Sequence, residues 1–336
     1  MLILVTGGAG YIGSHVCVEL INEGYQLLIL DNLSNSSSNS INFIEKVSGQ
    51  SVSFIEGDIR DKKLLQSIFS NNDIDSVMHF AGLKAVGESV NKPLMYYDNN
   101  VIGTVILLEV MAEYECKNIV FSSSATVYGD PKYVPINERS NLSTTNPYGT
   151  SKLMIEKILQ DFYLTDERIS IGILRYFNPV GAHESGLIGE NPIGTPNNLM
   201  PFLSQVAIGR REKLYVFGND YPTIDGTGVR DYIHVVDLAK GHISALKKIQ
   251  KVNEIIIVNL GTGKGFSVLE MIAEYEKVIG KKIPYEIVDR RPGDIAECYA
   301  DPRLAETVLG WKAEYDIDRM CQDEWRWQKK INDFLD

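Results

Sequence analysis

The sequence predicts an α/β fold, a doubly wound parallel sheet followed by a smaller C-terminal α/β domain, and three observations predict it. Short apolar runs recur at Leu2-Ile3-Leu4-Val5, Leu27-Leu28-Ile29-Leu30, Val52-Ser53-Phe54-Ile55, Ser76-Val77-Met78-His79-Phe80, Asn118-Ile119-Val120-Phe121 and from Ile169 to Leu174. Runs this brief are too short for helices, and continuous apolarity marks strands covered on both faces. Glycines crowd the junction between the first run and a helical pattern, and Tyr148 and Lys152 stand four residues apart where Asn146-Pro147 gives way to another helix. The domain boundary is expected near 178, with 1–178 holding the sheet and 179–336 mainly binding substrate, the chain crossing back to the first domain.

After Thr6 the chain reads Gly7-Gly8-Ala9-Gly10-Tyr11-Ile12-Gly13; Gly8, Gly10 and Gly13 satisfy G-x-G-x-x-G, and Gly7, Gly10 and Gly13 satisfy the wider G-x-x-G-x-x-G spacing. The helix expected next, Ser14 to Asn22, carries Val16, Cys17 and Leu20 on one side and stops near Gly24, a residue suited to a left-handed cap. Glycines between strand and helix let backbone amides and the helix N-terminus hold a pyrophosphate, the dinucleotide fingerprint of the Rossmann fold. Asp31 ends the second strand where that fingerprint expects an acid on the adenosine ribose. A carboxylate there repels a 2′-phosphate, so NAD is expected rather than NADP. The Asn- and Ser-rich segment 32–40 is a loop. Beyond the third strand, Asp58 has two readings: an acceptor for the adenine amino group, or the cap of a helix beginning near Arg60.

The fourth strand breaks at Ala81-Gly82, small residues that let a cofactor lie against the sheet edge, and His79 within it reads as a packed strand residue. Lys84 and Asn99 are either contacts to the nicotinamide-side ribose or ordinary surface groups. Pro93 to Tyr114 reads as one long helix with an apolar stripe of Leu94, Val101, Val105, Leu108 and Ala112. The fifth strand ends in Ser122-Ser123-Ser124. Ligands of open parallel sheets lie beyond the carboxyl ends of strands, so Ser124 is a candidate partner for a substrate hydroxyl, with a turn cap as the alternative. Tyr148 and Lys152 then share one helical face, a turn apart. A phenol titrates near ~10, and a neighbouring ammonium favours the phenolate, which makes Tyr148 the candidate acid/base group.

Bulk properties exclude other classes. The 336 residues are enough for a large buried core, and a formal net charge of −11 argues against a nucleic-acid surface, which needs clustered basic groups. Cys17, Cys116, Cys298 and Cys321 are widely separated, without a C-x-x-C pair, so neither a disulfide framework nor a metal knuckle is expected. No apolar run approaches a membrane span, and no signal-type segment opens the chain. A cytoplasmic setting, with no membrane or nucleic-acid partner, is expected.

Longer stretches carry a resemblance. Gly7 to His15, Asp31-Asn32-Leu33, Glu56 to Arg60, His79 to Val90, Phe121 to Gly129, Tyr148 to Lys152, Arg175 to Ala182, Pro196 to Pro201 and Asp225 to Val235 together resemble the extended short-chain dehydrogenase/reductase family, and within it the UDP-glucose 4-epimerases. The resemblance runs nearly end to end. It implies NAD contacts at Gly7, Gly10, Tyr11, Ile12, Gly13, Asp31, Asn32, Asn35, Ser36, Asp58, Ile59, Phe80, Ala81, Gly82, Lys84, Asn99, Tyr148, Lys152 and Phe177. It implies UDP-sugar contacts at Ser124, Tyr148, Asn178, Asn198, Leu199, Tyr215, Phe217, Arg230, Arg291, Asp294 and Cys298. Each arginine is otherwise read as half of a surface ion pair. By the same resemblance Ser124, Tyr148 and Lys152 are catalytic: Tyr148 takes the proton of the sugar 4-hydroxyl, Lys152 holds the nicotinamide ribose and lowers the tyrosine pKa, and a 4-keto intermediate turns over before reduction. A homodimer through paired helices is implied as well.

The alternatives are a nucleotide-sugar 4,6-dehydratase and another NAD-dependent sugar-nucleotide dehydrogenase. The first needs an acid/base pair directly after the serine, and Ala125-Thr126 stands there. Cys298 departs from the bulky tyrosine of strict UDP-glucose epimerases, and the smaller side chain leaves room for a C2 acetamido group, so N-acetylated UDP-hexoses are expected to be accepted too.

Overall fold

The computed structural model describes residues 1–335 other than 193, 195, 197 and 292. The apolar runs form β1 (Leu2–Thr6), β2 (Gln26–Asp31), β3 (Ser53–Glu56), β4 (Ile74–His79), β5 (Asn118–Ser122) and β6 (Ser170–Tyr176). Around them lie α1 (Tyr11–Asn22), α2 (Asn39–Ser48), α3 (Lys62–Asn71), α4 (Val86–Asn91), α5 (Pro93–Tyr96), α6 (Gly103–Glu113) and α7 (Pro147–Tyr163). Beyond β6 the chain adds β7 (Asn178–Val180), α8 (Leu199–Ala207), β8 (Leu214–Phe217), β9 (Val229–His234), α9 (Val235–Ile249), β10 (Ile255–Leu260), β11 (Gly265–Ser267) and α10 (Val268–Ile279). It closes with β12 (Tyr285–Val288), β13 (Glu297–Cys298), α11 (Arg303–Leu309) and α12 (Ile317–Leu335).

The main sheet has seven strands in the order β3-β2-β1-β4-β5-β6-β10, all paired in parallel. Successive side chains point to opposite faces, and the core divides accordingly. Ile3, Val5 and Ile29 pack with Val16 and Leu20 of α1 and Leu238 and Ile243 of α9, while Leu4, Leu28 and Leu30 pack with Leu65 of α3, Leu107 of α6 and Ile155 of α7. Helices therefore cover both faces. β10 and α9 return across the boundary at 178, so the outermost strand of the sheet comes from the second half of the chain.

The second half has smaller sheets of its own, β11-β9-β13 with β7 also on β9, and a β12-β8 pair. Its core gathers Met200 and Leu203 of α8, Met271 and Tyr275 of α10 and Met320 and Cys321 of α12. Trp327 of α12 is buried, with Ala182 and Ile331.

Three local expectations are corrected. α1 begins at Tyr11, directly on the glycines, rather than at Ser14. The long helix expected over 93–114 is helical throughout but passes through a π segment, Tyr97–Ile102, between α5 and α6. An extra residue in a turn of this kind re-aims side chains and is frequent at functional sites; Asn99 lies in it. Finally α3 is capped by Asp61, whose Oδ1 accepts from Leu64 N at 3.0 Å, and not by Asp58.

Candidate active site

The strand order reverses between β1 and β4, and a crevice opens where the turns leaving those strands meet, as expected for a doubly wound sheet. Gly7 sits in the left-handed region at φ +71°, and a Cβ on it would lie 2.6 Å from Ala81 N; a Cβ on Gly13 would lie 2.3 Å from Gly7 O. Only glycine fits at either place. Gly10 precedes α1 and no side chain caps that helix, which leaves its first N–H groups to a ligand.

A cleft of about 640 Å³ follows the crevice. Asp31, Asn32, Asn35 and Ser36 line it beyond β2, and Gly7, Gly10, Tyr11, Ile12, Gly13 and Ile59 line its middle. Phe80, Ala81, Gly82, Lys84, Asn99, Tyr148 and Lys152 line it beyond β4 and along α7. Asp31 is buried and accepts from Ala9 N at 3.0 Å, Leu33 N at 2.9 Å and Ser36 Oγ at 2.9 Å, pinning the glycine turn to the loop after β2. Asp58 stands outside the lining. Its carboxylate takes Asn32 Nδ2 at 2.9 Å and Arg60 Nη2 at 2.7 Å, and hydrogen bonding to Arg60 holds it well below the usual carboxylate range. Phe177 also faces elsewhere, packed with Ala125, Tyr128 and Cys298, while its neighbour Tyr176 lines the cleft. His79 is packed as expected, bonded to Thr6 Oγ1 at 2.7 Å and Thr104 Oγ1 at 2.9 Å, and burial pushes it down to about 3.

The α7 end of the cleft carries the titrating groups. Asn146 caps α7, its Oδ1 accepting from Gly149 N at 2.8 Å with Pro147 at the first turn, so the helix start that bears Tyr148 is fixed. Lys152 Nζ donates to Ser122 O at 2.8 Å and lies 4.8 Å from the Phe121 ring centroid and 6.0 Å from that of Tyr148. Burial pushes the ammonium down to about 8, against the opposing influence of Glu156. Ser124 Oγ accepts from Thr126 N at 3.2 Å and from Thr126 Oγ1 at 3.0 Å, so it caps the turn Ala125–Tyr128 as well as standing beside Tyr148. The phenol of Tyr148 is raised above its ordinary value, first by burial and then by Tyr176, while Ser124 acts in the other direction. This corrects the expectation of a lowered phenol: an ammonium at this distance does not offset the loss of water around a phenolate.

Of the expected contacts in the second half, Asn178, Asn198, Leu199, Tyr215, Phe217, Arg230, Arg291, Asp294 and Cys298 all lie outside the cleft lining, as does Ser124 of the first half; the second half reaches the cleft through Leu187 to Pro192 and Trp327. Lys84 Nζ meets the buried Glu190 carboxylate at 2.6 Å, and Asn198 Nδ2 donates to the same oxygen at 3.3 Å. Leu199 is the first residue of α8, with its N–H among the open donors of that terminus. Arg230 on β9 pairs in register with Cys298 on β13 and donates to Val229 O at 2.8 Å; Asn178 on β7 pairs with Tyr232 on the same β9. Arg291 meets Asp294 at 3.0 Å and lies 4.7 Å over the Phe217 ring, and both Phe217 and Tyr215 are exposed on β8. Cys298 is buried against Ala125, next to Ser124, and burial pushes its thiol up to about 11.

The family model described as GDP-mannose 4,6 dehydratase matches residues 4–324. The UDP-glucose 4-epimerase of Bacillus subtilis is 59% identical over 98% of this chain and 97% of its own. The chain belongs to the UDP-glucose 4-epimerase family. Among solved structures, the family's Bifidobacterium longum member, in complex with NAD+ and UDP, superposes with a TM-score of 0.96 at 54% identity, covering 99% of both chains. The Stenotrophomonas maltophila member, with NAD and formylated UDP-arabinopyranose, gives 0.97 at 48% identity and 99% coverage of both. The UDP-glucose 4-epimerase assignment agrees with Ala125 and Thr126 where a dehydratase needs its acid pair, Thr126 here donating to Ser124.

The cleft also holds residues that no sequence pattern singles out. Phe43 and Lys46 of α2 line it, as do Glu190, Asn191 and Trp327. The first two lie on a helix whose apolar stripe could have drawn notice to them. Glu190 has no local signal, since its partner Lys84 is distant in the chain.

Proposed function

We propose that this protein inverts C4 of a UDP-hexose, interconverting UDP-glucose and UDP-galactose with NAD held in the cleft. The observation that carries the reading is the convergence of Ser124, Tyr148 and Lys152 at the end of a glycine-walled cleft, with no acid pair after Ser124. The residues present fit NAD: two glycines that tolerate no Cβ, an uncapped α1 N-terminus for the pyrophosphate, and Asp31 at the ribose position. NAD supplies, when bound, a positively charged hydride acceptor that gives the hydride back within the same turnover. Tyr148 Oη, as the phenolate, takes the proton from the sugar 4-hydroxyl and returns it, with Ser124 Oγ holding the same oxygen; the positive charges of Lys152 and of bound NAD favour that form against the burial that raises the phenol. Lys152 contributes positive charge near the phenol and a donor to the nicotinamide ribose. Arg230 and Arg291 suit a diphosphate, to which each offers a forked charged donor. Asn198 and the Leu199 amide add neutral donors, Asp294 and Asn178 face hydroxyls, and Tyr215 and Phe217 pack on uracil. Purified protein incubated with UDP-glucose and no added NAD should yield UDP-galactose. Accumulation of free NADH, or of a dehydrated sugar, would remove this reading.

A finer reading concerns the sugar. Cys298 lies against Ala125 and Phe177, where a phenol would demand more room. Overlap in a packed site costs about 1–3 kcal/mol, worth about 10- to 200-fold in specificity, so the smaller thiol admits a C2 acetamido group. We expect Cys298→Tyr to lower kcat/KM for UDP-N-acetylglucosamine by at least about 10-fold relative to UDP-glucose; an unchanged ratio would place the selectivity elsewhere.

Exposed Val90, Leu94 and Ile102, with Met154 of α7, give the apolar surface a homodimer would cover, and light scattering is its test. All four cysteines are free and buried, which suits a reducing cytoplasm, and no helix of the described residues is long and apolar enough to cross a membrane.

A further inference from the structure

A buried polar network that the proposed reaction does not use lies beneath the catalytic residues. Glu156, one turn beyond Lys152 on α7, is 0% exposed. Its Oε1 accepts from Ser123 Oγ at 2.5 Å and from Arg175 Nε at 3.0 Å, and its Oε2 accepts from Arg175 Nη2 at 2.6 Å. Arg175 of β6, 2% exposed, donates onward to Tyr128 Oη at 3.0 Å and to Glu138 O at 3.3 Å. Tyr128 Oη donates to Asn259 Oδ1 at 2.7 Å, and Asn259 Nδ2 to Ile136 O at 2.8 Å.

A buried ion pair is weak evidence for stability, because a well-packed apolar pair of the same volume often serves as well. Position explains this one better. The network ties α7, the ends of β5, β6 and β10, and the turn after Ser124 at a single point. Ser123, held by Glu156, stands between Ser122, whose carbonyl takes Lys152 Nζ, and Ser124. Lys152 is faced by Tyr148 and Glu156 from its own helix, by Ser122 O and the Phe121 ring from β5 and by His79 from β4, while Arg175 at the end of β6 stands behind Glu156. Glu156 is the anion of that set.

We infer that Glu156, backed by Arg175, is a positioning residue of this active site: it sets the Ser122–Ser124 strand end against α7 and holds Lys152 in its charged form. The direction of its influence on Lys152 agrees, since Glu156 works against the lowering that burial imposes. The assignment rests on the epimerase reading and deepens it. Removing the carboxylate's charge lowers the pH at which the ammonium is lost, so the basic limb of kcat moves down.

The test is the pH profile of kcat on UDP-glucose, with NAD content and thermal unfolding measured on the same samples. Glu156→Gln should move the basic limb down by about 1 pH unit, whereas Glu156→Asp, which keeps the charge, should lower kcat and leave the limb in place. Glu156→Gln strands the Arg175 cation; if it does not fold, Glu156→Gln/Arg175→Met, with no lone charge, is read in its place and should show a smaller shift in the same direction, because the carboxylate that is lost lies nearer Lys152 on α7 than the cation lost with it. A folded, NAD-loaded variant without the charge whose limb coincides with the wild type would overturn the inference. Wild-type protein that makes no epimer overturns instead the reading on which it rests.

Discussion

Gly13→Ala puts a methyl group where the structure has no room for one. The new Cβ would stand 2.3 Å from Gly7 O and 2.8 Å from Gly8 Cα, against an ordinary separation of about 3.5 Å. The turn must then open by about 1 Å, and because the obstructing atoms are backbone, relief displaces the very amides to which the proposed reading gives the pyrophosphate. Overpacking of this kind costs about 1–3 kcal/mol, and at ~1.4 kcal/mol per tenfold NAD affinity should fall by about 5- to 150-fold. Gly87→Ala is the matched control: it lies in α4 with nothing within 4 Å of an added Cβ, so it should be neutral or slightly stabilising. The assay is NAD released per mole of protein on denaturation, followed by titration of the stripped protein with NAD. Folded Gly13→Ala that binds NAD as tightly as Gly87→Ala would refute the argument that this turn cradles the pyrophosphate.

Tyr148→Phe keeps the ring and removes the oxygen, so it should bind NAD normally and lose about 10²- to 10⁴-fold in kcat; near-normal epimerisation in a coupled assay would count against the tyrosine. Asp31→Ala removes ribose bonding and phosphate repulsion and also frees Ala9 N, Leu33 N and Ser36 Oγ, so NAD binding should weaken and the preference over NADP shrink in competition titrations. Glu324 is wholly buried, and burial first, then Glu190, raises its carboxyl from 4.5 to about 8. A folded pKa above the unfolded one gives stability that is full below pH 4.5 and is lost as pH rises through about 8, so the Tm advantage of Glu324→Gln should widen across that window. A Tm difference that stays constant from pH 5 to pH 8 would contradict the shift.

The glycine turn, the six strands before residue 178 and the Tyr148/Lys152 pair were legible because each depends on neighbours within about ten residues: apolar period, capping residue, helical spacing. What escaped is long-range. A crossing back to the first domain is expected, but nothing local in Ile255–Leu260 marks it as the segment that pairs with β6. Phe177 and Tyr176 are adjacent and alternate sides, so a local reading cannot choose which faces the cleft. Asp58 against Asp61 as the α3 cap was a matter of three residues, within the ordinary slack of a helix boundary. The raised phenol of Tyr148 follows from burial by distant segments, which spacing alone does not reveal.

The return of β10 has a consequence for how such a protein can change in evolution. Residues 1–178 do not make a detachable module: without Ile255–Leu260, β6 is left as an open edge, and without α9 one face of the sheet keeps only the cover of α1 and α2. A new second half cannot simply be spliced on at the boundary, because the replacement would have to thread a strand back into the old sheet. Change is left to accumulate within a continuous chain, by single replacements or by exchange of the segments that flank α9 and β10, and under the reading proposed above Cys298 is one such position, while the sheet between them stays whole.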